Sequence, residues 1–160
     1  MKISVITVSF NSAKTIRHTL DSFFAQDHAE RELVIVDGGS TDETLAIVGS
    51  YPGDDIVVVS ERDRGIYDAM NKGLALYSGD AVGFLNSDDR FADRQALTHL
   101  AEALRSADIA YGDLDFVASH DTGAVTRRWR STPYEKRSFR RGWMPAHPTF
   151  YVRRAVVDAV

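Results

Sequence analysis

An α/β fold with a doubly wound, mostly parallel sheet flanked by helices is predicted for this 160-residue chain on three observations. Short β-branched apolar runs alternate with segments of helical periodicity. The first run, ISVITVS, is apolar almost throughout, as a strand covered on both faces has to be. The runs also end in small or acidic residues, at the edge where open parallel sheets bind their ligands.

Residues 3–9 are the first strand. Across 14–26, Ile16, Leu20, Phe23 and Phe24 recur at three- and four-residue spacing, the period of a helix with one apolar face. A strand is predicted at 33–36, a helix at 41–48, a strand at 56–59 and a helix at 66–77. A fourth strand at 81–85, a helix at 93–104 and a fifth strand at 109–117 complete the alternation. Beyond residue 117 the pattern changes: 124–129 reads as a strand, 134–142 is basic and irregular, and 149–152 is a short strand. Residues 153–160 read as helical but stop without a Gly, Asn or Pro ending, so the chain is expected to continue past Val160. Residues 1–119 are expected to form an α/β core and 120–160 a region of different character, within one structural domain.

With 44% hydrophobic and 26% charged residues, the composition excludes disorder and collagen-like repeats. The absence of Cys excludes disulfides, thiolate metal sites and cysteine nucleophiles. No apolar run approaches the roughly 18 residues of a membrane span, and a cytoplasmic protein is expected. The net charge of −4 conceals an asymmetry: residues 1–119 hold 10 basic and 20 acidic side chains, residues 120–160 hold 9 and 3. No nucleic-acid partner is expected of the basic part. Seven basic residues against one acidic between 127 and 141 suit an anionic surface such as the inner face of a membrane.

Four strand-end segments carry the chemistry. In TVSFN, Thr7 and Asn11 end the first strand in small polar groups. In VDGGSTDE, Ser40 and Glu43 fit a capping box. Asp37 has no such explanation and suits an acceptor for the hydrogens of a base, with Gly38 and Gly39 letting backbone approach a ligand. In DRGIYDAMNKG, Asp68, Asn71 and Lys72 share a helix face, while Arg64 and Gly65 precede the helix where a phosphate can be met. In LNSDD, Asp88 and Asp89 repel each other unless a cation neutralises them, and such oxygen ligands suit Mg²⁺ or Mn²⁺ on a diphosphate.

As an ordered set, ISVITVSFN, VDGGSTDET, DRGIYDAMNKG and GFLNSDD resemble the inverting family 2 glycosyltransferases of GT-A fold, in particular the bacterial polysaccharide-assembly branch. The resemblance implies that Thr7, Asn11 and Asp37 hold the nucleoside, and that Arg64 with Asp68 and Asn71 approaches the base and diphosphate. It further implies that Asn86 contacts the ribose and that Asp88 or Asp89 binds the metal. Asn86 stands where the family usually has a first Asp. His147, between Pro145 and Pro148, is expected as a further metal ligand by the same resemblance. The resemblance also implies that 1–119 form a nucleotide-sugar-binding core and that 120–160 begin an acceptor-side region, on which the basic stretch 127–141 would lie. The acceptor-side Glu-Asp pair of the family is not recognisable in 120–160, so the catalytic base stays open, with Asp113 and Asp115 of YGDLD as candidates and His147 beside them.

The function expected is metal-dependent, inverting transfer of a sugar from a nucleotide diphosphate donor, a uridine nucleotide by preference, to a glycan or lipid-linked acceptor. Two alternatives stand beside it. One is a nucleotide-sugar-binding subunit without turnover. The other is a sugar nucleotidyltransferase, disfavoured because TVSFNSAKT has no Gly.

Overall fold

The computed structural model describes residues 1–53, 55–118 and 121–159, with Asp121 and Thr122 described by backbone alone. In chain order the elements are β1 Ile3–Ser9, α1 Ile16–Phe24, β2 Arg31–Asp37, α2 Thr44–Val48, β3 Ile56–Ser60, α3 Ile66–Leu76, β4 Ala81–Phe84 and α4 Ala96–Ala103. There follow β5 Ile109–Ala110, β6 Leu114–Ala118, β7 Asp121–Trp129, β8 Tyr151–Arg153 and α5 Arg154–Val157, with 3₁₀ turns at Ser138–Arg141 and His147–Thr149.

Six strands form one sheet in the order β3-β2-β1-β4-β8-β5. β1 pairs in parallel with both β2 and β4, and β2 with β3, as the alternation predicts. Because successive crossovers step outward from β1 to β3 and then return to its other side at β4, the order reverses between β1 and β4. Such a reversal opens a crevice at the carboxyl ends of the two strands. Side chains of β1 and β2 alternate between the faces. Ile3, Val5, Leu33 and Ile35 pack with Ile16, Leu20 and Phe23 of α1 and Leu97 of α4. Ile6, Val8, Val34 and Val36 pack with Ala69 and Met70 of α3. All but Val8 and Met70 in these two groups are at most 2% exposed, and each large apolar side chain so buried contributes about 1.5–3 kcal/mol.

Three expectations are corrected. The fifth strand predicted at 109–117 is two elements: β5 joins the sheet, whereas β6 pairs with β7 in a separate antiparallel ribbon. The break lies at Gly112 and Asp113, where side chains take over from the ladder. Gly112 N–H donates to Thr149 Oγ1 at 3.1 Å, Ser131 Oγ donates to the Gly112 carbonyl at 2.5 Å, and Ser131 N–H donates to Asp113 at 2.9 Å. The strand predicted at 149–152 lies at Tyr151–Arg153, preceded by a 3₁₀ turn, and runs antiparallel to its neighbours β4 and β5. The capping box does not form. α2 starts at Thr44, whose N–H and hydroxyl both donate to Asp42 Oδ1, at 3.0 and 2.5 Å. The expected division at 119/120 falls outside the described residues, and β8 returns the later part of the chain into the main sheet.

That return depends on Gly83. It pairs with Tyr151 across β4 and β8, and a Cβ on Gly83 would stand 2.5 Å from the Tyr151 ring, which is fully buried. Gly83→Ala is therefore expected to destabilise the fold by about 1–3 kcal/mol through overpacking, measured by denaturant unfolding. Near the amino end of β2, buried Glu32 accepts from Ser4 Oγ at 2.5 Å and from Ser78 Oγ at 2.5 Å, and pairs with Lys2 Nζ at 2.7 Å. Burial pushes its carboxyl up, but the Lys2, Ser4 and Ser78 donors outweigh that and bring it down from 4.5 to about 2. A pKa below the unfolded value contributes stability that is complete above the unfolded value and is lost as pH falls toward the folded one. On the order of 3 kcal/mol should disappear below the ordinary Glu range. In urea titrations at a series of pH values, Glu32→Gln should flatten that decline.

Candidate functional site

At the crevice, the loops after β1 and β2 are laced together. Asn11 takes a left-handed backbone, φ 49, a conformation Asn tolerates better than most residues. Its N–H donates to Ser40 Oγ at 2.8 Å, and its Oδ1 accepts from Thr41 N–H at 2.9 Å. Ser12 N–H donates to Thr44 Oγ1 at 2.8 Å and Ala13 N–H to Asp42 Oδ2 at 3.0 Å. The Asn11 side chain thus holds the second loop against the first.

Asp37 sits beneath this lacing and is fully buried. Its carboxylate accepts five hydrogen bonds: Ser9 Oγ at 3.1 Å, Ser40 Oγ at 2.5 Å, Ser40 N–H at 2.9 Å, Gly39 N–H at 3.1 Å and Ser60 Oγ at 2.8 Å. Burial pushes this carboxyl up, and the donors, Ser40 foremost, overcome it and hold it below its ordinary value. Asp37 therefore fastens the ends of β1, β2 and β3 together, and its acceptor capacity is spent within the protein. Thr7 is likewise buried, its hydroxyl donating to the Leu85 carbonyl at 2.7 Å.

Asp63, half-buried, stands nearer the loop surface. A Cβ on Gly38 would stand 2.6 Å from Asp63 Oδ2 and 3.5 Å from the Phe10 ring, so the bare backbone of Gly38 is what leaves room for both. Asp63 Oδ1 accepts from Gly65 N–H at 2.9 Å, while Phe10 is 63% exposed. Phe10, Gly38 and Asp63 form a notch with an aromatic wall and a carboxylate wall. Both residues lay inside the motifs read from the sequence. Nothing in one-dimensional spacing indicated that a side chain from the third loop would fill the space over Gly38.

Arg64 is exposed beside this notch, and its N–H donates to Asp68 Oδ2 at 3.1 Å. Asp68 also lies 3.7 Å from Lys72 Nζ, which pairs with Glu61 at 2.8 Å, so the Asp68–Lys72 pair braces the start of α3. Asn71 is exposed on the same helix.

Across β1 lies the acidic turn that follows β4. Thr19 of α1 donates to the Asp89 carbonyl at 2.7 Å, Ser87 Oγ lies 2.8 Å from Ser12 Oγ, and Asn86 Nδ2 donates to Asp89 at 3.1 Å. Asn86 Oδ1 is buried without a partner and Asp88 is exposed. Burial holds the Asp89 carboxyl above its ordinary value; Asp88 adds to the rise, while the Asn86 amide and His147 oppose it. His147 stacks on Phe84 at the end of β4, ring centroids 5.5 Å apart, which brings it to the same edge as Asp89. Among the described residues no three His, Asp or Glu side chains form a ready-made metal cage. The donor set fits a hard cation shared with phosphate and water: two carboxylates and an orphaned amide oxygen on one turn.

Asp113 and Asp115 lie at the start of the ribbon. Arg130 Nη1 stands 3.0 Å from Asp113 and 3.5 Å from Asp115, so one guanidinium serves both carboxylates. Thr149 Oγ1 donates to the Gly112 carbonyl at 3.0 Å, tying this corner to the His147 turn.

The family model described as Glycosyl transferase family 2 matches residues 4–158. The chain belongs to glycosyl transferase family 2. A PGL/p-HBAD biosynthesis glycosyltransferase of Mycobacterium bovis is 37% identical over 117 residues, covering 69% of this chain and 46% of that protein. An uncharacterized glycosyltransferase of Mycobacterium tuberculosis is 41% identical over 103 residues, covering 64% of this chain and 39% of that protein. The chain thus spans less than half the length of these relatives. Among solved structures, TarS residues 1–349 of S. aureus in complex with UDP-GlcNAc aligns at TM-score 0.78 and 26% identity, over 99% of this chain and 47% of that one. A mannosyltransferase of Pyrobaculum calidifontis, in complex with GDP-Man and Mn²⁺, shares the fold at TM-score 0.72 and 22% identity, over 99% of this chain and 46% of that one. The sheet is therefore the family's GT-A sheet, as the motifs imply.

The different placements of the two aspartates separate in an experiment. Asp37→Ala should cost about 3 kcal/mol or more, because several buried donors lose their acceptor, whereas Asp63→Ala at the loop surface should change stability by under about 0.5 kcal/mol. Chemical denaturation of both variants checks this, and an Asp37→Ala protein as stable as wild type would return Asp37 to a ligand-facing role.

Proposed function

We propose that the chain carries the donor-binding part of an inverting glycosyltransferase that moves a sugar from a uridine diphosphate donor to a hydroxyl of a glycan or lipid-linked acceptor. The observation behind this is that the Phe10–Gly38–Asp63 notch and the 86–89 turn flank the end of β1, on opposite sides of the topological switch. The base lies against Phe10, and Asp63 Oδ2 accepts the single imide hydrogen that uracil presents. The diphosphate then runs toward the acidic turn, past Arg64 and the start of α3. Residues 1–119 supply this half of the site, and 120–160 begin the acceptor side.

Asp88 and Asp89, with the Asn86 amide oxygen and His147 beside them, would hold Mg²⁺ or Mn²⁺. When bound, the cation neutralises charge on the leaving diphosphate. In the transfer step a carboxylate takes the proton of the acceptor hydroxyl, whose oxygen bonds to the anomeric carbon as the bond to the diphosphate breaks, with inversion. Asp113 is the candidate for that carboxylate, and taking the proton requires it to leave Arg130. The Arg130 pairing also favours a second reading, a donor-binding subunit without turnover.

Calorimetry of uridine diphosphate binding should show higher affinity with Mn²⁺ than with chelator, a difference lost in Asp88→Ala. Asp63→Ala should weaken nucleotide binding about tenfold with or without metal, the loss of one hydrogen bond to a charged group. Metal-independent binding would remove the bridging role of the turn. Hydrolysis of the donor by the full-length protein decides between the transferase and the binding subunit.

A further inference from the structure

Residues 134–144 build a surface that donor binding does not use. Trp143 is its foundation: the indole N–H donates to the Thr132 carbonyl at 3.2 Å and to Thr132 Oγ1 at 3.0 Å. Phe139 and Tyr134 lean on the indole with centroids 5.2 and 5.4 Å away. Left-handed residues at Arg137, φ 73, and Gly142, φ 81, bracket the 3₁₀ turn Ser138–Arg141. Ser138 is buried within it, its N–H donating to the Glu135 carbonyl at 2.9 Å. This anchoring presents apolar side chains to solvent: Phe139 is 57% exposed, Tyr134 52% and Met144 66%.

Cations share the same loop. Arg141 pairs with Glu135 at 3.0 Å, whereas Lys136, Arg137 and Arg140 have no ion pair among the described residues. Exposed aromatic and thioether side chains beside unneutralised cations meet the two requirements of an interfacial membrane contact. Apolar tips gain by leaving water, and each cation near an anionic surface adds about 1 kcal/mol. An acidic protein partner would answer the charges alone, and a sugar chain the aromatic rings alone.

We propose that this loop docks the protein on an anionic bilayer, with Phe139, Met144 and Tyr134 entering the headgroup region and Lys136, Arg137 and Arg140 meeting lipid phosphates. The ribbon and the Asp113 corner, joined to the loop through Thr132 and Tyr111, then lie toward the membrane. The proposal does not rest on the donor reading. No helix among the described residues is long and apolar enough to cross a membrane, so the contact is peripheral in kind for this part of the chain.

The test is flotation of the full-length protein with phosphatidylcholine vesicles, with and without phosphatidylglycerol, at low and high salt. Binding to anionic vesicles should weaken with salt. It should fall about tenfold or more in the double variant Arg137→Ala, Arg140→Ala, as two charges of that size imply. A similar loss is expected in Phe139→Ala, Met144→Ala, with gel-filtration volume and uridine diphosphate affinity unchanged in both. Equal binding to neutral and anionic vesicles, or retention by both double variants, overturns the proposal. So does a dimer, in the absence of lipid, that Phe139→Ala dissociates, because the patch would then be covered by a second copy of the chain.

Discussion

A buried carboxylate with five hydrogen-bond donors holds the carboxyl edge of this sheet together. Asp37 draws Ser9 from β1, Ser60 from β3 and the backbone after β2 to one point, so the three strand ends have a fixed relative position. The loops built on those ends inherit it. Asn11 can lace the first loop to the second because Ser40, its partner, is itself held by Asp37. The notch over Gly38 has walls at defined places for the same reason. A charge in the interior is ordinarily costly, and here the donors more than offset that cost, as the lowered carboxyl pKa records.

The second constraint is the antiparallel return of the chain into the sheet. β8 slots between β4 and β5, and it can do so only where β4 lacks a side chain, at Gly83 beneath the Tyr151 ring. From that contact the preceding turn is carried over Phe84, which puts His147 near Asp89, and Thr149 reaches Gly112 at the root of the ribbon. The carboxyl edge of the sheet and the root of the ribbon are thus connected through one short strand. This explains why a chain segment with its own charge character still belongs to the main fold.

The acidic turn shows an opposite economy. Thr19 fastens its backbone and Ser12 holds the Ser87 hydroxyl, yet its polar groups are incompletely matched: Asn86 Oδ1 has no partner, Asp88 faces solvent and Asp89 resists ionisation. Asp37 and Asp89 are both substantially enclosed carboxylates near strand ends, and their surroundings push them in opposite directions. The one surrounded by donors is complete in itself, and the other is left in want of positive charge.

The sequence by itself determined the parallel half of the sheet, because strand burial on both faces and helical amphipathicity are written in periods of local residues. It also determined the order of the motifs that place the chain in its family. Tertiary structure decided which member of each motif faces outward. Asp37, legible as a polar residue at a strand end, turns inward because serines from three segments converge on it, and Asp63 comes to stand over Gly38 from a loop 25 positions later in the sequence. Tertiary structure likewise split the predicted fifth strand and shifted the last one, since Gly112 and Asp113 bond to Thr149 and Ser131, residues 18 to 37 positions away. Local pattern records which side chains prefer burial. It does not record which distant donor will be there to meet them.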